Sequence, residues 1–292
     1  MIELVLCALI WGSSFVAQKV GSEHFGPFTI ICGREFLASA FLLGCVCLRH
    51  GKGVWNRATL VGGALSGLFI FAGELAQQIG VSRTTPGVAA FLTTNYVLLV
   101  SVFGRLLGRK IAWTVWAGVA LALTGTYLLC IGADEGRLCF GVGERWILLC
   151  AASFAIQILI VERFVRDCDM LRFSWVQVTV AAFVGLPFFC ASGELSRVNV
   201  DCSAQGIGAI LFLGVIAGGI AYFLQNRGQV KVSASLSSII LSMEGVFACL
   251  FGWLFLGDML SMRQLVGCAL VLAAVLFSQT MSLRQRKVKS WS

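Results

Sequence analysis

The sequence predicts an all-α integral membrane protein with ten transmembrane helices in two inverted five-helix repeats around a central cavity. Three observations support this prediction. The 292-residue chain is 58% hydrophobic and only 12% charged, whereas roughly a quarter of the residues in soluble domains are charged. Its apolar runs have about the 20 residues that a helix needs to cross the hydrocarbon core. The two halves of the chain also resemble each other in sequence.

The individual spans follow from hydropathy and length. Strands are excluded as the main element because the runs are about twice as long as a barrel strand and lack strict alternation. The first apolar segment lacks the basic start and the small-residue cleavage site of a signal peptide, so we expect it to be retained. The predicted spans are 2–20, 28–48, 58–80, 84–104, 111–131, 143–161, 173–192, 205–226, 233–256 and 262–282.

The distribution of positive charge predicts the orientation. Lys and Arg concentrate in cytoplasmic loops, and the chain has 22 of them. With the N-terminus in the cytoplasm, Arg34 lies inside the membrane and few cations fall outside. Both termini, including a basic tail at 283–292, are therefore predicted to be cytoplasmic, in a multi-pass protein of the cytoplasmic membrane. The outer cations are then Lys19, Arg83, Arg137, Arg145, Arg197 and Arg263.

An internal repeat relates the two halves. The stretch "AQQIGVSRTTPGVAAFLTTNY", ending at Tyr96, aligns with "LQNRGQVKVSASLSSIILSME", ending at Glu244, at a constant offset of 148 positions. Near the start of each half, "LCALIWGSSF" aligns with "LCAASFAIQI" at an offset of 143, which pairs Trp11 with Phe154. Five helices per repeat is an odd number, so the second copy enters the bilayer inverted. Such repeats build a site near the midplane where the halves meet.

These motifs resemble the EamA-like family of the drug/metabolite transporter superfamily. "AQQIGVSRTTPGVAAFLTTNYVLLVS" is similar to that family's Q-x-x-G-(L/V)-x-x-T-(S/T) stretch leading to A-A-F-L-T, and "LQNRGQVKVSASLSSIILSMEGVFACLFGWLFLGD" is similar to its L-E-P-V-F…L-L-G-E stretch. The resemblance covers nearly the whole chain. It implies EamA-like repeats at 1–132 and 143–282, a central cavity, and transport of small metabolites without ATP.

We therefore expect a secondary transporter or facilitator that moves an amino acid or related amphipathic metabolite by alternating access. A membrane-embedded enzyme and a channel remain the alternatives. The enzyme is disfavoured because no segment carries a His/Asp cluster, an H-E-x-x-H motif or a Ser/His pair at membrane depth, and the channel because no filter-like loop is present.

The expected partners are a small-molecule substrate and the lipid bilayer. No nucleic acid is expected, because most of the positive charge is explained by the loops that set the orientation of the protein in the membrane. No metal or other cofactor is expected either, since the chain has no CxxC pair, its histidines His24 and His50 fall in predicted loops, and no G-x-x-x-x-G-K-[ST] loop is present. The sequence leaves the oligomeric state open, with a monomer as one interpretation.

Polar residues inside the spans are the candidate site residues. An ionised carboxylate at mid-bilayer costs ~2.5–3.5 kcal/mol on insertion scales, so it needs a partner, a cavity or a proton. Glu244 fits two interpretations, a protonated structural acid or a cavity-facing group for substrate or coupling, and we expect it to hydrogen-bond to neighbouring helices. The candidate substrate-binding residues are Trp11, Ser14, Glu74, Gln77, Gln78, Asn95, Tyr96, Gln157, Tyr222, Gln225 and Glu244.

Two charged positions in the second span call for partners elsewhere. Arg34 and Glu35 are adjacent and point about 100° apart on a helix, so we expect them not to neutralise each other. Arg34 and Glu74 lie at similar depth, and we interpret them as a structural ion pair in preference to substrate-binding residues. Glu74, Gln77 and Gln78 share one helix face, an arrangement that equally fits hydrogen bonding between helices.

Overall fold

The structure, a computed structural model, describes residues 1–49, 55–83, 86–130, 141–194, 204–256 and 261–289. It confirms an all-α membrane protein, because the described residues form helices and no strand. Within these residues, eight helical segments are long and apolar enough to cross a membrane, and the shorter apolar helices Trp113–Leu128 and Leu265–Ser278 correspond to the fifth and tenth predicted spans.

The helices follow the predicted spans with shifts of a few residues at their ends. A π-helical segment, Phe212–Ile220, joins two of the helices within the eighth span, and a second, Gly252–Leu256, continues the ninth span. The α-helices are α1 (Ile2–His24), α2 (Pro27–Leu48), α3 (Arg57–Val81), α4 (Pro86–Thr94), α5 (Tyr96–Leu106), α6 (Trp113–Cys130), α7 (Val142–Phe164), α8 (Met170–Ser192), α9 (Ala204–Leu211), α10 (Ala221–Gln229), α11 (Ala234–Leu241), α12 (Met243–Phe251) and α13 (Met262–Lys289).

The fourth and ninth spans are broken at mid-length, which the hydropathy pattern does not predict. Asn95 separates α4 from α5, and Ser242 separates α11 from α12. The repeat offset aligns Asn95 with Met243, so the two breaks coincide within one residue. Discontinuous helices at corresponding places in two repeats are typical of transporters built by inversion, where they lie at the binding site.

The helix pairings show how the two halves fit together. Helix α3 packs along α7, and α1 packs along the eighth span, which consists of α9, the π-helical segment and α10. Helix α2 packs on α8, and α6 packs on α13. If each span is replaced by its counterpart in the other half, the α3–α7 pairing becomes the pairing of the eighth span with α1. The α2–α8 and α6–α13 pairings stay the same. The ten spans therefore form two inverted five-helix repeats, as predicted.

Glycines allow close contact between helices at the centre of the bundle. A Cβ atom on Gly12 of α1 would lie 2.5 Å from Cβ of Phe247 and 2.7 Å from the carbonyl oxygen of Glu244. A Cβ atom on Gly214 would lie 2.9 Å from the carbonyl oxygen of Arg34. Consequently α1 lies directly against the start of α12, and the eighth span lies directly against α2.

Ion pairs join the two halves on one side of the bundle, which we call the N-terminal face because α1 begins there. Each pair joins helix ends or loops that the predicted topology places on the same side of the membrane. Exposed pairs contribute little stability, roughly 0–1 kcal/mol each, so their main significance is that the two halves are in contact on this face. The pairs are Glu3 with Lys231 (2.6 Å), Arg49 with Asp169 (2.9 Å), and Arg109 with Glu162.

The last helix extends beyond its predicted span, 262–282. Helix α13 continues to Lys289, so most of the segment predicted as a tail at 283–292 continues the last helix. The basic side chains of this segment, residues 290–292, and the loop residues His50, Arg137 and Arg197 lie outside the described part of the chain.

Candidate functional site

A polar cavity lies where the two repeats meet. Its volume is about 30 Å³, and since one water needs roughly 10–15 Å³, it has room for about two water molecules. The structure therefore shows the cavity nearly closed. Its lining residues are Trp11, Ser14, Phe15, Gln18, Arg34, Glu74, Gln77, Tyr96, Phe154, Gln157, Ile158, Tyr222, Gln225 and Glu244.

Repeat-related pairs of residues account for most of this lining. Among the described lining residues, only Gln18 and Arg34 lack their repeat counterparts. The cavity therefore lies on the pseudo-two-fold axis that relates the halves. The pairs are Trp11 with Phe154, Ser14 with Gln157 and Phe15 with Ile158 at the offset of 143, and Glu74 with Tyr222, Gln77 with Gln225 and Tyr96 with Glu244 at the offset of 148.

All of the candidate substrate-binding residues line the cavity except Gln78 and Asn95. Gln78 points about 100° away from Gln77 around α3, and its Nε2 donates to Oγ of Ser22 at 2.7 Å, which fastens α3 to α1. Asn95 lies at the helix break, where its Nδ2 donates to the carbonyl oxygens of Phe91 and Leu92 at 3.2 and 3.1 Å. The structure thus gives these two residues contacts outside the cavity.

Four lining residues are absent from the sequence-based selection: Phe15, Gln18, Phe154 and Ile158. Helical spacing could have identified them. On α1, positions 11, 14, 15 and 18 share one face, and on α7, positions 154, 157 and 158 share another. Extending the selected residues by one turn along the same face reaches Phe15, Gln18 and Phe154, and a further turn from Phe154 reaches Ile158.

The first half contributes a charged cluster on α2 and α3. Nη2 of Arg34 lies 2.7 Å from Oε1 of Glu74, and the Tyr222 hydroxyl donates to the same carboxylate oxygen at 2.9 Å. Arg34 and Glu74 are only 4% and 2% exposed, so this ion pair is buried. Glu74 and Tyr222 are repeat counterparts, and their direct contact places both near the axis.

The expectation that Arg34 and Glu35 would not pair is wrong. Nε of Arg34 lies 3.5 Å from Oε1 of Glu35, because the long, forked guanidinium side chain can reach a neighbour on its own helix while also reaching α3. Glu35 is fully buried, and neither of its carboxylate oxygens accepts a hydrogen bond. One guanidinium therefore serves two carboxylates.

The second half contributes a carboxylate with very different surroundings. Glu244 is 4% exposed and its repeat counterpart Tyr96 is 2% exposed. The two side chains lie close enough to interact. Beyond this mutual contact, Oε1 of Glu244 and the hydroxyl of Tyr96 have no hydrogen-bond partner among the described residues. The contact with Tyr96 of α5 is therefore the polar contact that Glu244 makes with another helix.

Neutral groups fix the remaining walls. Gln157 and Gln225 form a reciprocal amide pair, with Nε2 to Oε1 distances of 3.2 and 3.1 Å, which ties α7 to α10. The Trp11 indole donates to the carbonyl oxygen of Ala217 at 3.2 Å and packs edge-on against Tyr222 with the ring centroids 5.3 Å apart. These contacts occupy the polar groups of the walls and hold the aromatic rings in place.

A nearly closed polar cavity, on the axis between two inverted repeats and flanked by two broken helices, is the architecture of a membrane transport protein. The chain belongs to the EamA-like transporter family, whose model matches residues 1–131 and 141–280.

Individual relatives agree with this assignment. An "Uncharacterized transporter" of Archaeoglobus fulgidus is 30% identical over 94% of this chain and 83% of its own length. The "WAT1-related protein At3g02690, chloroplastic" of Arabidopsis thaliana is 28% identical over 91% of this chain and 66% of its own length. The "Uncharacterized inner membrane transporter YedA" of Escherichia coli K12 is 25% identical over 91% of this chain and 86% of its own length.

A solved crystal structure has the same fold. It superposes on this chain with a TM-score of 0.76, covering 95% of this chain and 97% of its own, at 18% sequence identity.

Proposed function

We propose that this protein is a secondary transporter or facilitator that moves a small amphipathic metabolite, such as an amino acid or a related compound, across the cytoplasmic membrane by alternating access. The observation that carries the proposal is the cavity itself, which lies on the repeat axis and combines polar and aromatic side chains from both halves. Its mixed lining suits a substrate with both a polar and an apolar part.

The closed cavity and the ion pairs of the N-terminal face support alternating access. In this mechanism the two repeats rock against each other around a central site, so each face must open and close by breaking contacts between the halves. The three ion pairs each join a first-half residue to a second-half residue. Being weak individually, they allow this face to open at little cost in free energy.

Flux measurement tests the function. The purified protein is reconstituted into liposomes, and uptake of radiolabelled compounds is measured over a panel of amino acids, amines, organic acids and nucleosides. We expect saturable uptake of at least one compound, with none in protein-free vesicles. Turnover of a panel compound without flux would indicate a membrane enzyme instead. Flux that does not saturate would indicate a channel.

The proposed orientation is testable with reporter fusions. If both termini are cytoplasmic, a reporter fused after residue 137 should score as external, and one fused after residue 167 should score as cytoplasmic. The physical reason is the concentration of Lys and Arg in the loops assigned to the cytoplasm. Alkaline phosphatase and green fluorescent protein fusions at both positions give opposite readouts. The reverse result at both sites would overturn the orientation.

A further inference from the structure

With its acids ionised, the lining of the cavity carries more negative than positive charge. The charged lining residues are Arg34, Glu74 and Glu244. Arg34 is already paired with Glu74 at 2.7 Å and lies 3.5 Å from Glu35. Its repeat counterpart, Gln177, is neutral, so the second half supplies no equivalent cation. Among the described residues that line the cavity, Glu244 is therefore the carboxylate that no cation of the lining pairs with.

The unpaired polar atoms of the cavity identify the missing group. Apart from their contact with each other, Oε1 of Glu244 and the Tyr96 hydroxyl are buried without hydrogen-bond partners, as are Nε of Arg34 and Oε2 of Glu74. Such groups are rare in native structures. An ionised carboxylate only accepts hydrogen bonds, and a tyrosine hydroxyl can accept as well as donate. A ligand that carries several N–H donors and a positive charge would satisfy both atoms and the charge of Glu244.

The rest of the wall restricts the chemical nature of that cation. Five aromatic side chains line the cavity together with Glu244, and aromatic faces attract organic cations through their ring electrons. A metal ion would instead need several oxygen ligands at close range. The aromatic residues are Trp11, Phe15, Tyr96, Phe154 and Tyr222.

We infer that Glu244 and Tyr96 form the binding site for the ammonium group of an organic amine whose apolar body contacts the aromatic walls. Because Glu74 and Glu35 already offset the charge of Arg34, and the described lining contains no other cation, a substrate carboxylate would have no uncompensated positive charge to bind. The site therefore prefers an amine without a carboxylate over the corresponding amino acid. This inference rests on the proposed transport function and narrows its substrate class. Binding requires the nearly closed cavity to open.

Three probes with the same phenyl group test whether the site prefers a cation, a zwitterion or an anion. Phenethylamine is a cation, phenylalanine a zwitterion and 3-phenylpropionate an anion at neutral pH. Binding of radiolabelled phenethylamine to the purified protein in detergent is measured by scintillation proximity, with the other two as unlabelled competitors. We expect phenethylamine to bind and phenylalanine to compete at least about tenfold more weakly than unlabelled phenethylamine, since an unpaired carboxylate forfeits affinity. 3-Phenylpropionate should not compete.

Substitutions at Glu244 and Tyr96 test whether these two residues bind the amine. Glu244→Gln should weaken phenethylamine binding at least about tenfold, because a hydrogen bond between two charged groups becomes one with a neutral acceptor. Tyr96→Phe, which removes the other orphan atom, should weaken it less. Glu23→Gln makes the same change at an exposed acid outside the cavity and should leave binding unchanged. Elution as a single size-exclusion peak and an unchanged melting temperature check that each variant is folded.

Several outcomes would overturn the inference. These are failure of phenethylamine to bind the wild type, competition by phenylalanine or 3-phenylpropionate as strong as that by unlabelled phenethylamine, and unchanged binding in both folded Glu244→Gln and Tyr96→Phe variants. The flux panel distinguishes failure of the amine-site inference from failure of the proposed transport function. Saturable uptake of anionic or neutral compounds without amine binding contradicts only the amine site. Amine binding without any flux contradicts the transporter and leaves the site.

Discussion

Replacing Arg34 with methionine should destabilise the fold by about 3–5 kcal/mol, the typical cost of removing one partner of a buried ion pair. The change leaves Glu74 and Glu35 buried without their shared cation. Glu74→Gln should cost less, because Arg34 keeps Glu35 as a partner and the introduced amide oxygen can still accept from the Tyr222 hydroxyl. The double variant should recover part of the loss relative to Arg34→Met alone, since only one unpaired carboxylate remains.

Thermal unfolding in detergent, followed by size-exclusion chromatography of heated samples, measures this ranking. Arg49→Met is the matched control, because Arg49 pairs with Asp169 at 2.9 Å but its side chain is 51% exposed. Exposed pairs contribute roughly 0–1 kcal/mol, so this control should melt near the wild type. Strictly additive losses in the double-mutant cycle would argue against the Arg34–Glu74 pair as a coupled unit.

Glu244→Gln should fold, reach the membrane and lose transport, with flux reduced at least about tenfold if the charge contributes as much as a typical charge-assisted hydrogen bond. Glutamine keeps the size and the hydrogen-bonding capacity of the side chain while removing its charge. Glu244→Leu also removes the hydrogen bonds and should lose transport at least as completely. The physical reason is the position of this carboxylate in the cavity wall without a lining cation.

Flux of the best panel substrate into proteoliposomes, normalised to the amount of reconstituted protein, measures this effect, with Glu23→Gln as the control. Normal transport by the glutamine variant together with failure of the leucine variant would mean that Glu244 is a structural hydrogen-bonding group. Wild-type flux from both variants would show that Glu244 has no part in transport.

Much of the fold follows from the sequence because a lipid bilayer imposes simple constraints. A span must be about 20 residues long and satisfy its backbone internally, so hydropathy finds it. The breaks at Asn95 and Ser242 escaped prediction because a broken span has the same length and hydropathy as a continuous one. The Ser242 break lies inside protein, where α1 packs against the start of α12. At the other break, Nδ2 of Asn95 donates to the carbonyl oxygens of Phe91 and Leu92.

The candidate site was partly predictable for a similar reason. A polar side chain inside a span needs a cavity or a partner, and this criterion selected Glu74, Tyr96 and Glu244, which all line the cavity. It could not separate cavity-facing residues from those that fasten one helix to another. Gln77 and Gln78 have the same chemistry and adjacent positions, and only their direction around α3 distinguishes them.

The sequence by itself determined the number of spans, the inverted repeat and the pairs of equivalent residues, because these depend on residue order and on membrane thickness. The matching depth of Arg34 and Glu74 also predicted their ion pair, but only the tertiary structure decided that Glu35 shares the same cation and that Glu244 has none. Arg34 reaches across to Glu74 and also to its neighbour Glu35, whereas Glu244 faces Tyr96 and the aromatic walls. That distribution depends on the reach and direction of side chains from helices far apart in the chain, and hydropathy and spacing carry no information about it.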